Sequence, residues 1–266
     1  MDFTRILPEE CQCMIISLTS PADARRSAMV SPSLRSVADS DAVWEKFLPC
    51  DHFSILSTSS SSSSSLLSLG KKDLYLHLSS HPTLIQNGTM SFQLEQGTGK
   101  KCYRLGARAL SITRPWGDLP NNWTWTSLPE SRFPEVEFVQ VWWIYAKGSI
   151  ETRILSHDTN YVVYLVFKVK YRHILGFGGR PVYLSVNVDG VASSTERRVS
   201  LDSRDESQRV REREEMGGRR PKWVSFFNGS GDGGSVKFVL HQVGYRLRGL
   251  IIEGIEIRPK VVRQYA

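Results

Sequence analysis

Apolar positions change period along this chain: between residues 7 and 48 they recur every three or four positions, and from Lys100 onward they alternate. A spacing near 3.6 marks one helix face and a spacing of two marks a strand. In LPEECQCMIISL, Cys11, Ile15 and Leu18 recur at helical spacing. Pro8 suits a first helical position, and Glu9 and Glu10 favour the positive end of the helix dipole. Ser20-Pro21-Ala22-Asp23 repeats the device, with Ser20 as N-cap, Pro21 at the first helical position and Asp23 as an imperfect capping-box partner. A further start is Ser40 before Asp41, leading into Val43, Trp44, Phe47 and Leu48. Three or so short helices make a module near the lower limit of independent stability, and such modules usually rely on a partner.

The unbroken serine run Ser59 to Ser65, inside the stretch Ser57 to Ser68, has no apolar surface to bury and predicts a flexible tether. The domains expected are therefore 1–50 helical, 51–70 linker and 71–266 strand-rich. In the last of these, KKDLYLHLS places Leu74 and Leu78 four apart on one leading helix packed against the second domain. The clearest strand is NYVVYLVFKVKY, with Tyr161, Val163, Leu165, Phe167, Val169 and Tyr171 on one face; PVYLSVNVDG, SVKFVLHQV and LIIEGIEIRPK continue the alternation. No helix-length apolar repeat intervenes. The fold class expected is α+β and multidomain, a small all-α module followed by an antiparallel β-sandwich or barrel.

Composition removes several function classes. A hydrophobic fraction of 40% with 10% aromatics excludes disorder throughout. A formal charge of +7 and a pI near 9.3 would suit nucleic acid if the cations clustered. From Glu196 to Lys222, however, arginines are interleaved with Asp and Glu, which reads as a solvated loop, so no nucleic-acid partner is expected. Cys11, Cys13, Cys50 and Cys102 lack the paired spacing of a zinc site and read as free thiols; no metal or other cofactor is expected. No apolar h-region opens the chain and no stretch nears the roughly 18 apolar residues of a membrane span, so a cytoplasmic or nuclear location is expected. The sequons at Asn87, Asn122 and Asn228 then read as chance matches. The glycine-rich NGSGDGG, Asn228 to Gly234, precedes an alternating strand rather than a helix, and reads as a long hairpin loop instead of a phosphate cradle. The six histidines are dispersed, no G-x-S-x-G elbow surrounds a serine, and no enzyme is expected. Trp116, Trp123 and Trp125 fall in a turn-rich segment beside Asp118, Asn121 and Asn122. Such rings either stack on apolar sugar faces or plug the end of a sandwich.

Residues 7 to 48 resemble an F-box: Leu7-Pro8 followed by two acids, Ile15 in the first helix, the Ser20-Pro21-x-Asp23 cap, Val30 and the late Trp44 all fall at F-box spacing. Ala24, Ser31 and Leu34 stand where Leu, Cys and Trp are usual. The resemblance implies docking on a Skp-type adaptor, and through it a cullin-RING ubiquitin ligase, by an apolar surface of Leu7, Pro8, Ile15, Ile16 and Val30, with Trp44 at least partly core. Residues from about 100 to 260 resemble a phloem protein 2 (Nictaba-type) lectin domain through GKKCYRLGARALSIT, WTWTSLPESRFPEV, YLVFKV and GLIIEGIEIRPK. The layout is that of plant F-box proteins of the phloem protein 2-B type, and it implies a jelly-roll-like lectin sandwich. In that family two tryptophans seven residues apart contribute to binding N-acetylglucosamine oligomers or related glycans; Trp116 and Trp123 match. The implied function is a non-catalytic receptor that brings glycoproteins to the ligase. The alternative is a sandwich that binds unglycosylated protein targets, since Arg114-Pro115 separate Thr113 from Trp116 where relatives run directly from Ile-Thr into Trp.

Overall fold

The computed structural model describes residues 7–59, 63–112, 123–126, 131–133, 136–141, 143–169, 181–190, 195–199, 222–229, 233–242 and 247–260. Two compact units, residues 1–102 and 103–266, divide the chain. The first is helical with one hairpin and the second is antiparallel sheet, the two-part α+β architecture that the change of period predicts.

The first unit opens with α1 (Glu9–Ser17), α2 (Pro21–Ser27), α3 (Pro32–Ala38) and α4 (Asp41–Phe47). Pro8 is the N-cap of α1 rather than its first helical residue. Ser20 caps α2, its Oγ accepting from the Asp23 N–H at 3.2 Å and donating to the Asp23 carboxylate at 2.7 Å. That bond, with the Arg26 guanidinium, holds the Asp23 carboxyl below the usual carboxylate range. Ser31-Pro32 starts α3 in the same way, Ser31 Oγ accepting from the Leu34 N–H. Val37, Ala38, Val43 and Trp44 form a dry core, and the Trp44 indole N–H donates to the Ala38 carbonyl at 2.7 Å. A buried indole costs little when its one donor is satisfied.

The stretch 51–70, expected as a tether, contains α5 (His52–Ser57) and α6 (Ser63–Leu67), and Leu56 is fully buried. The leading helix α7 (Lys71–Ser80) and the hairpin β1 (Thr83–Ile85) and β2 (Met90–Leu94) belong to this first unit, whereas the sequence placed residues 71–80 with the sandwich. The reason is Tyr75: fully buried, its ring lies 5.1 Å from that of Trp44, and its hydroxyl hydrogen-bonds the carbonyls of Glu95 and Gln96. Lys72 pairs with Asp39, Lys101 with Asp51, and the Ala22 N–H donates to the Gly97 carbonyl.

The second unit holds two sheets. Its first is built around β13 (Leu247–Pro259), which pairs along one edge with β8 (Thr159–Val169) and along the other with β6 (Val136–Val141) and then β3 (Lys101–Gly106). Outside these, β11 (Lys222–Asn228) pairs with β8 and β5 (Trp123–Thr126) with β6. The second sheet runs β10 (Thr195–Val199), β9 (Val182–Val188), β12 (Ser235–Gln242), β7 (Ile144–Glu151) and β4 (Ser111–Ile112). Alternation is clean in β7 and β12, where every second residue is buried. It fails in β8: Val162 and Val166 are buried along with Tyr161, Val163, Leu165 and Phe167, so both faces are covered; Tyr171 lies outside the described residues.

Two loop expectations change. Asn228 to Gly234 is not a hairpin loop, because β11 pairs with β8 in one sheet and β12 with β7 and β9 in the other; the segment carries the chain between sheets. The charged stretch from Glu196 begins inside β10, where the Arg198 guanidinium lies 5.3 Å over the Tyr183 ring. Residues 200–221 lie outside the described set.

Candidate functional sites on the two units

On the helical unit the docking expectation divides. Ile15 is 51% exposed and Val30 73%, Pro8 is exposed and Leu7 half-buried, but Ile16 is 6% exposed and belongs to the module's own core. Ile16 is thus corrected from surface to core: one position after Ile15, it turns about 100° around α1 toward the helices packed there. Within residues 7–48, Met14, Leu18 and Met29 are also exposed, positions the sequence did not single out for docking. Met14 and Leu18 are four apart, a spacing that was readable. Met14, Ile15 and Leu18 at the end of α1, with Met29 and Val30 just past α2, give a small module five large apolar side chains in water. Apolar surface concentrated in this way marks an interaction site.

On the sandwich, strand register brings several chain segments to one end. β4 runs toward the start of β7, β5 starts opposite Val139 near the end of β6, and β12 ends where β7 begins. At this end β4 stops at Ile112 and β5 starts at Trp123. Trp116 itself, and the side chain of Trp123, lie outside the described residues. Trp125 is described and half-buried, with the Arg108 guanidinium 4.1 Å over its ring, a cation–π contact.

Charge is buried inside this unit. Glu253 is the extra residue of a β-bulge in β13, between Ile252 opposite Phe167 and Gly254 opposite Val166. Its carboxylate accepts from the Arg104 guanidinium at 2.7 Å and faces the Lys168 ammonium at 3.3 Å, with Arg104 and Glu253 both buried. Nearby in sequence, buried Glu256 is held by Arg258 at 2.6 Å. Glu253→Gln removes a buried negative charge that Arg104 and Lys168 both face, and is expected to destabilise the sandwich by about 3–5 kcal/mol in urea unfolding. Among the described residues no group of three or more His, Cys, Asp or Glu side chains is arranged to hold a metal ion, and the four cysteines are free thiols. No described helix is long and apolar enough to cross a membrane.

Two family models match: "Phloem protein 2" over residues 100–259 and "F-box domain" over residues 6–46. Among curated relatives, F-box protein At2g02240 of Arabidopsis thaliana is 38% identical over 264 residues, covering 96% of this chain and 79% of its own. F-box protein PP2-B10 of the same plant is 37% identical over 262 residues, covering 95% and 92%. Among solved structures, the C-terminal CBM6 of LamC, a marine laminarinase from Zobellia galactanivorans, is 9% identical. It covers 59% of this chain and 98% of that one at a TM-score of 0.34, a likeness too slight to bear on function. With an F-box spanning the exposed apolar helices and a phloem protein 2 match spanning the sandwich, the chain belongs to the plant F-box proteins of the phloem protein 2-B type.

Proposed function

We propose that the chain is the target-recognition subunit of a Skp, cullin and F-box ubiquitin ligase, acting in the cytoplasm or nucleus without catalytic chemistry of its own. The observation that carries this reading is the exposed set Met14, Ile15, Leu18, Met29 and Val30 on the matched F-box. Burying such side chains against a Skp-type adaptor supplies the hydrophobic drive for docking. The sandwich then holds a target near the ligase, and effective concentration does the rest. The target we favour is a glycoprotein carrying N-acetylglucosamine-containing glycans, read by Trp116 and Trp123.

The test uses the full chain and two variants. Ile15→Asp with Val30→Asp places charges in the docking surface and is expected to weaken capture by a Skp-type adaptor roughly a hundredfold or more. Trp123→Ala is expected to keep adaptor capture and lose signal on a glycan array. Unchanged adaptor capture in the first variant overturns the ligase reading. A second reading, an unglycosylated protein target, draws on Arg108, which covers one face of Trp125. It predicts a silent array together with a captured partner insensitive to deglycosylation.

A further inference from the structure

The alternation of SVKFVLHQ turns Val236, Phe238, Leu240 and Gln242 inward, between the sheets, and puts Lys237, Val239 and His241 on the outer face of the second sheet. Register carries that outer face sideways. His241 lies opposite Tyr145 of β7 on one side and Tyr183 of β9 on the other, and Tyr183 lies opposite Arg198 of β10. One row thus crosses four strands, its three rings half-buried and its cations exposed. The side chains lean on one another. The rings of Tyr183 and His241 stack with centroids 5.0 Å apart, and Tyr145 tilts against His241 at 6.4 Å. The Arg198 guanidinium lies 5.3 Å over the Tyr183 ring, and the Lys147 ammonium 4.9 Å over that of Tyr145.

What the row can bind follows from the parts of the rings left open. Tyr183 is flanked by His241 and Arg198, and Tyr145 by His241 and Lys147, so their faces are taken. An aromatic ring is negative over its face and positive around its edge, and these rings turn edges and hydroxyls outward. Ligands that stack on ring faces, as nucleobases do, find none free. Neither Lys147 nor Arg198 is held by a carboxylate among the described residues, whereas Lys237 on the same face is held by Asp189 at 2.8 Å. We infer that this row docks an acidic segment of a partner protein, an extended stretch whose carboxylates engage Arg198 at one end and Lys147 at the other. The hydroxyls of Tyr145 and Tyr183 and the His241 imidazole serve the groups between. Three inter-strand steps of about 4.8 Å put the ends roughly 14 Å apart, a span an extended chain covers in about four residues. The segment therefore carries Asp or Glu at i and i+4, side chains that share one face of a strand. Glu196, one step along β10 from Arg198 on the same face, repels an acidic chain that strays from the row. This surface rests on neither the ligase nor the glycan reading.

The experiment titrates fluorescein-labelled hexaglutamate with the full chain at low ionic strength, read by anisotropy. Lys147→Gln with Arg198→Gln removes the two end cations, both exposed, so the core is left as it is. Lys46→Gln with Lys260→Gln removes the same charge from exposed positions elsewhere and is the control. The row variant is expected to bind hexaglutamate about tenfold more weakly, and the control within about twofold of the wild type. An equal loss in the control means diffuse attraction to a chain of net charge +7 and overturns the inference. So does a row variant that binds as the wild type does, or a wild type that binds no hexaglutamate. A labelled oligothymidylate bound more tightly than hexaglutamate, and lost in the row variant, makes the row a nucleic-acid surface and overturns the assignment to a protein segment.

Discussion

Gly254→Ala is expected to destabilise the sandwich unit by about 4 kcal/mol or more, a large share of the 5–15 kcal/mol that hold an ordinary domain. Gly254 has φ near 150°, and a Cβ there would sit 1.9 Å from the Leu105 carbonyl oxygen. That oxygen is backbone of β3, the strand against which this half of β13 is registered, with Gly254 opposite Gly106 and Ile255 opposite Leu105. The clash has no flexible side chain to move, so β3 and β13 must part. Gly190 supplies the control. It also has a positive φ, 84°, but nothing lies within 4 Å of its would-be Cβ, so Gly190→Ala is expected to cost only about 1–2 kcal/mol. Urea unfolding of both variants separates a forbidden contact from a merely disfavoured backbone, and near-equal midpoints would overturn this account of the bulge.

Tyr75→Ala is expected to lower the stability of the helical unit by about 3–5 kcal/mol and with it adaptor capture, although Tyr75 lies outside the matched F-box residues 6–46. The ring fills the space against Trp44, and the hydroxyl ties α7 to the carbonyls at Glu95 and Gln96. Tyr75→Phe keeps the packing and is expected to cost about 1 kcal/mol. Burial first, and then the nearby negative charge of Glu95, push the Tyr75 phenol above its usual range. The folded unit therefore favours the neutral phenol. Its contribution is complete below about pH 10, where an unfolded tyrosine titrates, and falls as pH rises beyond that. Thermal unfolding at pH 8 and pH 11 should show this loss in the wild type and a flatter dependence in Tyr75→Phe. Wild-type adaptor capture by Tyr75→Ala would mean that the F-box helices stand without α7.

Local signals carried much of this fold and missed what depends on distant partners. Ser20-Pro21 gave α2 correctly because a cap needs only its own helix. The same pair at Ser31-Pro32 was equally legible and starts α3. Asn87-Gly88, read only as part of a chance sequon, is a strong hairpin signal: both residues have positive φ between β1 and β2. No local pattern could place α7 with the F-box, since its partners Trp44 and Glu95 are far off in sequence, nor show that Asn228 to Gly234 changes sheets. For the sites, exposure was legible at Ile15 and Val30 and misjudged by one position at Ile16, where a helix turns surface into core. Gln242 was visible in principle as the polar member of an inward row. That neither end of its amide meets a partner among the described residues is a property of three-dimensional neighbours alone.

The position of β13 also sets an order of events during synthesis. Strands β3, β6 and β8 share β13 as their common partner, and among the described strands it comes latest in the chain. Until residue 259 has emerged, the edges of these strands that face β13 are unpaired and open to wrong pairing. The helical unit has all its parts by residue 102. A nascent chain can therefore hold a finished helical unit while its sandwich still waits for its central strand, and chaperone demand should concentrate in that interval.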